Sequence, residues 1–167
     1  LIRRFEEKVE ERFRAGELDT TYTIPNAQLK FIRENLGDAL VNAPYLGSYY
    51  YGFNVTREPF KDNPQLRRAL SLAVDRDIIT QQILGAGQQT AFGFVPPVAN
   101  YTQQRMAEAE WTQVEREAEA KRLYAEAGYG PDNPLEIQLL YNTSENHRKI
   151  AIAIASMEGS RERMASV

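Results

Sequence analysis

The run Pro44-Tyr-Leu-Gly-Ser-Tyr-Tyr-Tyr-Gly-Phe-Asn54 places four tyrosines and one phenylalanine in eleven residues, with two glycines between them. Aromatic side chains favour extended backbone, and internal glycines disfavour helix, so the run is expected to be extended. Read with a period of two, Tyr45, Gly47, Tyr49, Tyr51, Phe53 and Val55 share one side. Leu46, Ser48, Tyr50, Gly52 and Asn54 share the other, where Tyr50 is the one large aromatic ring. Three placements suit such a ribbon: a buried strand, an edge strand awaiting a partner, or the aromatic floor of a binding cleft. Tyrosine couples apolar area to a hydroxyl, and glycine lets a ligand or another backbone approach closely.

The rest of the chain alternates helix and extended signals around this ribbon. Ile2, Phe5, Val9 and Phe13 fit a helix over 2–15 that stops at Gly16. Residues 17–24 are rich in Thr and Tyr and read as a short strand. Pro25-Asn26 opens a second helix with Leu29, Ile32 and Leu36 on one face, ended by Gly37, and 39–55 form the β-rich centre. Asn63-Pro64 is a helix start, with an Asn cap and Pro in the first turn, ahead of Leu66, Ala69, Leu70 and Ala73. Asp75 caps a further helix over 76–84, with Ile78, Ile79 and Ile83 directed inward, and Gly85 and Gly87 close it. The segment 87–101 contains Pro96-Pro97 and is irregular. Residues 107–127 read as one helix with Ala120, Leu123, Tyr124 and Ala127 as its apolar stripe and Gly128 as its cap. Leu135, Ile137, Leu139 and Tyr141 alternate with Glu136, Gln138 and Leu140 as a half-buried strand. Thr143 or Ser144 caps a last helix through Ile150, Ile154 and Met157, after which the pattern is lost.

Composition excludes several functions. Lys and Arg number 20 against 23 Asp and Glu, a net charge of −3, which argues against a dedicated nucleic-acid binder. The basic residues interleave with Glu, as in RRFEEKVEERFR, and read as solvated helix faces. With no cysteine there is no disulfide, thiolate metal site or cysteine nucleophile. No apolar run approaches the ~18 residues of a membrane-spanning helix, and LIRRFEEK lacks the apolar stretch of a signal peptide.

No constellation for catalysis emerges. His147 is the one histidine, and without a GxSxG elbow or metal-ligand spacing it reads as a surface or capping residue. Asp75 and Asp77, two apart on a helix, diverge and do not form a carboxylate dyad. GAGQQTAFG lacks both GxGxxG and the Walker lysine. No catalytic, metal or cofactor-binding residue is assigned.

Six blocks, in order, carry a resemblance: RAGELD (14–19), PYLGSYYYGFN (44–54), PFKDNPQLRRALSLAVDRDII (59–79), AFGFVPP (91–97), AEAGY (125–129) and LLYNTSENHRKIAIAIAS (139–156). Together they resemble the solute-binding proteins of bacterial oligopeptide and murein-peptide ABC importers (solute-binding family 5). The resemblance implies an α/β (mixed α+β) chain: part of a type II periplasmic-binding-protein fold, with the end of one lobe and the first half of the other. Residues 1–46 would end the first lobe, 47–157 begin the ligand-binding second lobe, and 158–167 form a divergent tail. The tyrosine ribbon would pass the interlobe cleft, with Tyr45, Gly47 and Tyr50 at the ligand and Tyr49 and Tyr51 packed inward.

The implied mechanism is capture without chemistry: peptide main chain on strand edges, side chains in hydrated pockets, hinge closure, and delivery to ABC permease subunits. No cofactor is implied, and the location is periplasmic or extracytoplasmic, membrane-associated in the intact parent. The family's acidic partner for a peptide α-amino group would lie beyond Met157, so no residue here inherits it. The departures at LIRRFEEKV and EGSRERMASV suggest a truncation or a frame change, and a non-functional truncated fragment is one alternative reading. The alternatives are a same-fold receptor for dipeptide, nickel chelate, opine or sugar, a peptide hydrolase, and an interaction module using exposed strand edges.

Overall fold

The computed structural model describes residues 8–9, 11–21, 24, 26–43, 45–158 and 163–166, the last four as backbone. Ile2, Phe5, Tyr22, Thr23, Pro25 and Pro44 therefore lie outside the described residues.

Two helices packed through their apolar faces make the centre of the described structure. Helix α2 (Pro64–Ala73) starts as Asn63-Pro64 requires: the Asn63 side chain accepts the Leu66 amide at 3.1 Å, and Pro64 occupies the first turn. Helix α3 (Gln113–Glu126) lies against it. Ala69 and Leu72 of α2 interlock with Ala120 and Leu123 of α3, all buried. Leu66 and Leu70 meet Leu135, with Phe53, Phe60 and Ile137 around them. Tyr124 borders both clusters, and its hydroxyl accepts the Leu135 amide at 2.9 Å, which ties the chain after α3 to the core.

Helix α3 is shorter than the stretch 107–127 predicts. Ala107–Glu110 is a 3-10 turn, and the chain is extended at Trp111 before α3 begins. The break is a capping box: Thr112 Oγ1 accepts the Glu115 amide, while the Glu115 carboxylate accepts the Thr112 amide at 2.7 Å. Gly128, at φ 88°, supplies the left-handed residue after the helix, as expected.

Residues 76–84 also depart from the expected α-helix. After a helical turn at 76–77, Ile78–Leu84 is π-helical, and Ile78, Ile79 and Ile83 are half-buried rather than core residues. The Thr80 hydroxyl donates back to the Arg76 and Asp77 carbonyls, which opens the turn, and the Gly85 amide reaches Thr80 O at 3.0 Å. Asp75 does cap it, accepting the Asp77 and Ile78 amides at 3.0 Å.

Strand β1 (Gln138–Tyr141) keeps the alternation read from sequence, with Leu139 and Tyr141 half-buried and Leu140 exposed. It pairs in parallel with β2 (Arg163–Ser166), and α4 (Glu145–Glu158) makes the crossover between them. The tail 158–167 thus contributes a strand that its short, polar sequence does not announce. In α4, Ile150, Ala151 and Ile154 are buried.

The amino-terminal part is helical at 8–9 and 11–14, then runs through a 3-10 turn (Asn26–Gln28) into α1 (Leu29–Asn35). The described residues of 17–24 do not form the expected strand. Three side chains from this part donate to successive carbonyls at the end of the π-helical segment: Asn26 to Leu84 at 3.0 Å, Arg33 to Gly85 at 2.9 Å, and Asn42 to Ala86 at 3.2 Å. A cavity of about 170 Å³ opens in this seam beside Leu29, Val41 and Ala86.

Candidate functional site

The ribbon 45–54 is where the sequence analysis is most corrected and most informative. Among the described residues no strand pairs with it, so the expected β-rich centre at 39–55 is an unpaired segment. The inward aromatic face is also graded rather than uniform. On that face Tyr45 is 80% exposed and Tyr49 51%, while Tyr51 and Phe53 are half-buried; on the other face Tyr50 is 63% exposed. Phe53 anchors the far end in the core, ring to ring with Phe60 at 4.9 Å.

Each residue singled out from sequence has a definite place. The Tyr45 ring folds over Gly47, where a Cβ would stand 2.7 Å from a Tyr45 ring carbon, and the Gly47 amide donates to Tyr45 O at 2.9 Å. A side chain at 47 would push the Tyr45 ring away. Tyr50 meets Phe94 edge-on at 5.0 Å between ring centroids. The neighbouring Ser48 hydroxyl donates to the Phe94 carbonyl at 2.7 Å. Tyr45, Gly47 and Tyr50 thus lie along one exposed ribbon.

Tyr49 and Tyr51 were expected to pack inward. Tyr51 does so in part, and burial pushes its phenol well above the ordinary range; its oxygen lies 3.3 Å from the Tyr49 hydroxyl. Tyr49 remains exposed, but its ring stacks on His147 at 4.7 Å and meets Tyr51 edge-on. His147, in the first turn of α4, also shares a hydrogen bond between Nδ1 and the Asn142 side-chain oxygen. Sequence reasoning read this histidine as a surface or capping residue. No local signal could have joined it to the ribbon, because α4 is brought there only by the tertiary fold.

Phe92, from the irregular segment after the π-helix, lies between two guanidinium groups, Arg76 at 5.4 Å and Arg116 at 5.0 Å. Arg116 is only 5% exposed. It donates to the Trp111 and Glu108 carbonyls and to Gln113 Oε1, so a buried cation is satisfied by neutral acceptors and a ring face. The buried Glu108 carboxylate pairs instead with Arg68.

Solved structures share this backbone fold. That of the Escherichia coli murein tripeptide binding protein MppA superposes with a TM-score of 0.87 at 38% identity, over 95% of this chain and 32% of that one. Haemophilus influenzae OppA, solved in complex with RPPGFSPFR, superposes at 0.83 with 36% identity, over 97% and 33%. The fold is that of one segment of a periplasmic solute-binding protein. A profile of the bacterial extracellular solute-binding proteins, family 5 Middle, matches residues 6–158, and the chain belongs to that family. Among curated relatives, the periplasmic murein peptide-binding protein MppA of Escherichia coli is 42% identical over 147 residues. The periplasmic oligopeptide-binding protein OppA of Salmonella typhimurium is 42% identical over 150. The chain spans 27% of the length of each of these two relatives.

Proposed function

We propose that this chain is the cleft-bordering part of a peptide receptor, which captures oligopeptides outside the cytoplasm and hands them to the membrane permease of an ABC importer. The observation that carries the reading is the ribbon itself: exposed Tyr45 and Tyr50 on backbone that no described strand pairs. An extended peptide can add main-chain hydrogen bonds to such an edge, while the tyrosines offer contact area that tolerates varied side chains. The names of the relatives, which bind murein peptide and oligopeptide, support the same ligand class. The ligand leaves unchanged in this mechanism, and Tyr45, Gly47 and Tyr50 contact it.

The lobe division goes with this reading: residues 1–46 end one lobe, 47–157 begin the other, and the ribbon crosses between them. The seam supports it, because side chains at 26, 33 and 42 meet backbone at 84–86 through polar bonds rather than through the apolar core.

The test uses the full-length protein that carries this sequence. A library of tri- to pentapeptides should raise its melting temperature in proportion to RT ln(1 + [L]/Kd). The Tyr45→Ala and Tyr50→Ala variants should reduce the shift while leaving the unliganded melting point nearly unchanged. A melting point indifferent to every peptide would end the peptide-receptor reading.

A further inference from the structure

We propose that Phe94 forms with Tyr50 an aromatic corner that receives an apolar side chain of the bound peptide; this rests on the peptide-receptor reading and adds a specificity-determining residue to the same site. Phe94 is 68% exposed and adjoins Tyr50, itself 63% exposed, so the two rings together present apolar surface that a ligand can cover. Its exposure is not that of a loose loop. On one side, the Phe92 ring is held between Arg76 and Arg116, and the Phe92 carbonyl accepts the Met106 amide at 2.7 Å. Gly93 comes so close to the 104–105 backbone that a Cβ would stand 2.0 Å from Gln104 O. On the other side, Gln103 donates to Val95 O at 2.8 Å. Ser48 fixes the Phe94 carbonyl itself. The flanking backbone is thus held from several directions, while the Phe94 ring projects outward and is met by Tyr50.

The chemistry follows from the two rings. They meet at 65°, so they form the two walls of a corner rather than a closed stack. Both rings stay more than half exposed, and a third aromatic ring or branched aliphatic group can pack against the pair. Phenylalanine has no hydroxyl, so its wall rewards apolar contact and offers nothing to a charged group. Tyr50 supplies the second wall from the ribbon along which the peptide main chain would run.

Alanine tetrapeptides carrying a single Phe at each position in turn, titrated by calorimetry into the full-length protein, give the test. Wild type should show one position at which Phe binds about tenfold tighter than Ala. Phe94→Ala should abolish that preference while holding the affinity for tetra-alanine within about twofold, and Phe94→Leu should keep part of it. A preference unchanged in Phe94→Ala overturns the inference and leaves the receptor reading intact. So does an equal loss for every peptide, which would mark a structural role. Wild type that binds no peptide fails at the earlier step and removes both. Phe94→Trp gives an independent readout: its emission should report an exposed indole without ligand and shift to the blue on adding the preferred peptide. Emission already blue without ligand would place residue 94 against another part of the full-length chain, and overturn the proposal.

Discussion

Arg33 Nη2 donates to the carbonyl of Gly85 at 2.9 Å, so one guanidinium from α1 holds the end of the π-helical segment 52 residues further along the chain. Asn26 and Asn42 do the same for the carbonyls on either side. Residues that end a helical segment leave carbonyls without intrahelical donors, and here another part of the chain supplies them. Arg33→Ala should cost at most about 1 kcal/mol, the net worth of one partly exposed hydrogen bond. Asn26→Ala with Asn42→Ala should cost more than the sum of the two single variants, because the remaining bond holds the segment less well once both are gone. Hydrogen exchange at the amides of 84–87 should quicken in each variant while α2 and α3 stay protected. Unchanged exchange there would show that the seam is held by something else.

The packing of α2 on α3 carries a larger effect. Leu72 is fully buried between Ala69 and the α3 residues Ala120 and Leu123, with little freedom to collapse around a deletion. Leu72→Ala should destabilise by about 2–5 kcal/mol. Tyr124→Phe keeps the ring and removes only the acceptor for the Leu135 amide, for a cost of about 1–3 kcal/mol if that amide stays dry. Urea unfolding followed by far-ultraviolet circular dichroism measures both, and a Tyr124→Phe variant as stable as wild type would contradict the assignment of Tyr124 as a polar joint between core clusters.

The capping box makes stability depend on pH in a set direction. Bonds from the Thr112 amide and hydroxyl hold the Glu115 carboxyl below its ordinary value of 4.5. A carboxyl whose folded value is depressed contributes stability that is full above the unfolded value and is lost as pH falls through the folded one. Wild type and Glu115→Gln should therefore differ most near neutrality and converge below about pH 4. Thr112→Ala should cost about 0.5–2 kcal/mol at pH 7. A difference between wild type and Glu115→Gln that persists undiminished to pH 3 would rule out the carboxylate as its source.

What could be read in advance divides along the range of the interactions concerned. Asn63, Pro64, Asp75 and Gly128 act within a turn of themselves, and each does what its side chain or missing side chain demands. Thr112 and Glu115 are equally local, yet the helix-favouring stretch around them hides the cap, because Ala and Glu continue a helical pattern on both sides of the break. The alternation of 135–141 was legible since its faces meet different surroundings. The ribbon was not, because a strand exists only with a partner, and no described segment of this chain pairs with 45–54. Tyr45, Gly47 and Tyr50 were singled out through the resemblance to the family, within a run that composition alone marks as aromatic. Their companions Phe94 and His147 could not be, since each reaches the ribbon from more than forty residues away by way of the tertiary fold.

Gly93 offers the sharpest structural test of how the segment 91–97 is held. A methyl group at this position would overlap the Gln104 carbonyl oxygen, and that oxygen belongs to backbone rather than to the yielding end of a long side chain. The neighbouring Met106 amide is already committed to Phe92 O, so the two strands of the loop cannot part without losing that bond. Gly93→Ala should therefore destabilise by about 1–3 kcal/mol, the range for forcing extra volume into a packed place. The damage should stay local: faster proteolysis within 88–105, a longer Phe92–Arg116 separation, and a Tyr50–Phe94 contact no longer fixed. Ring-current shifts at Tyr50 in nuclear magnetic resonance spectra report that contact directly. If Gly93→Ala kept wild-type stability and wild-type Tyr50 shifts, the close approach at Gln104 would be incidental, and the rigidity ascribed to Phe94 would have no basis.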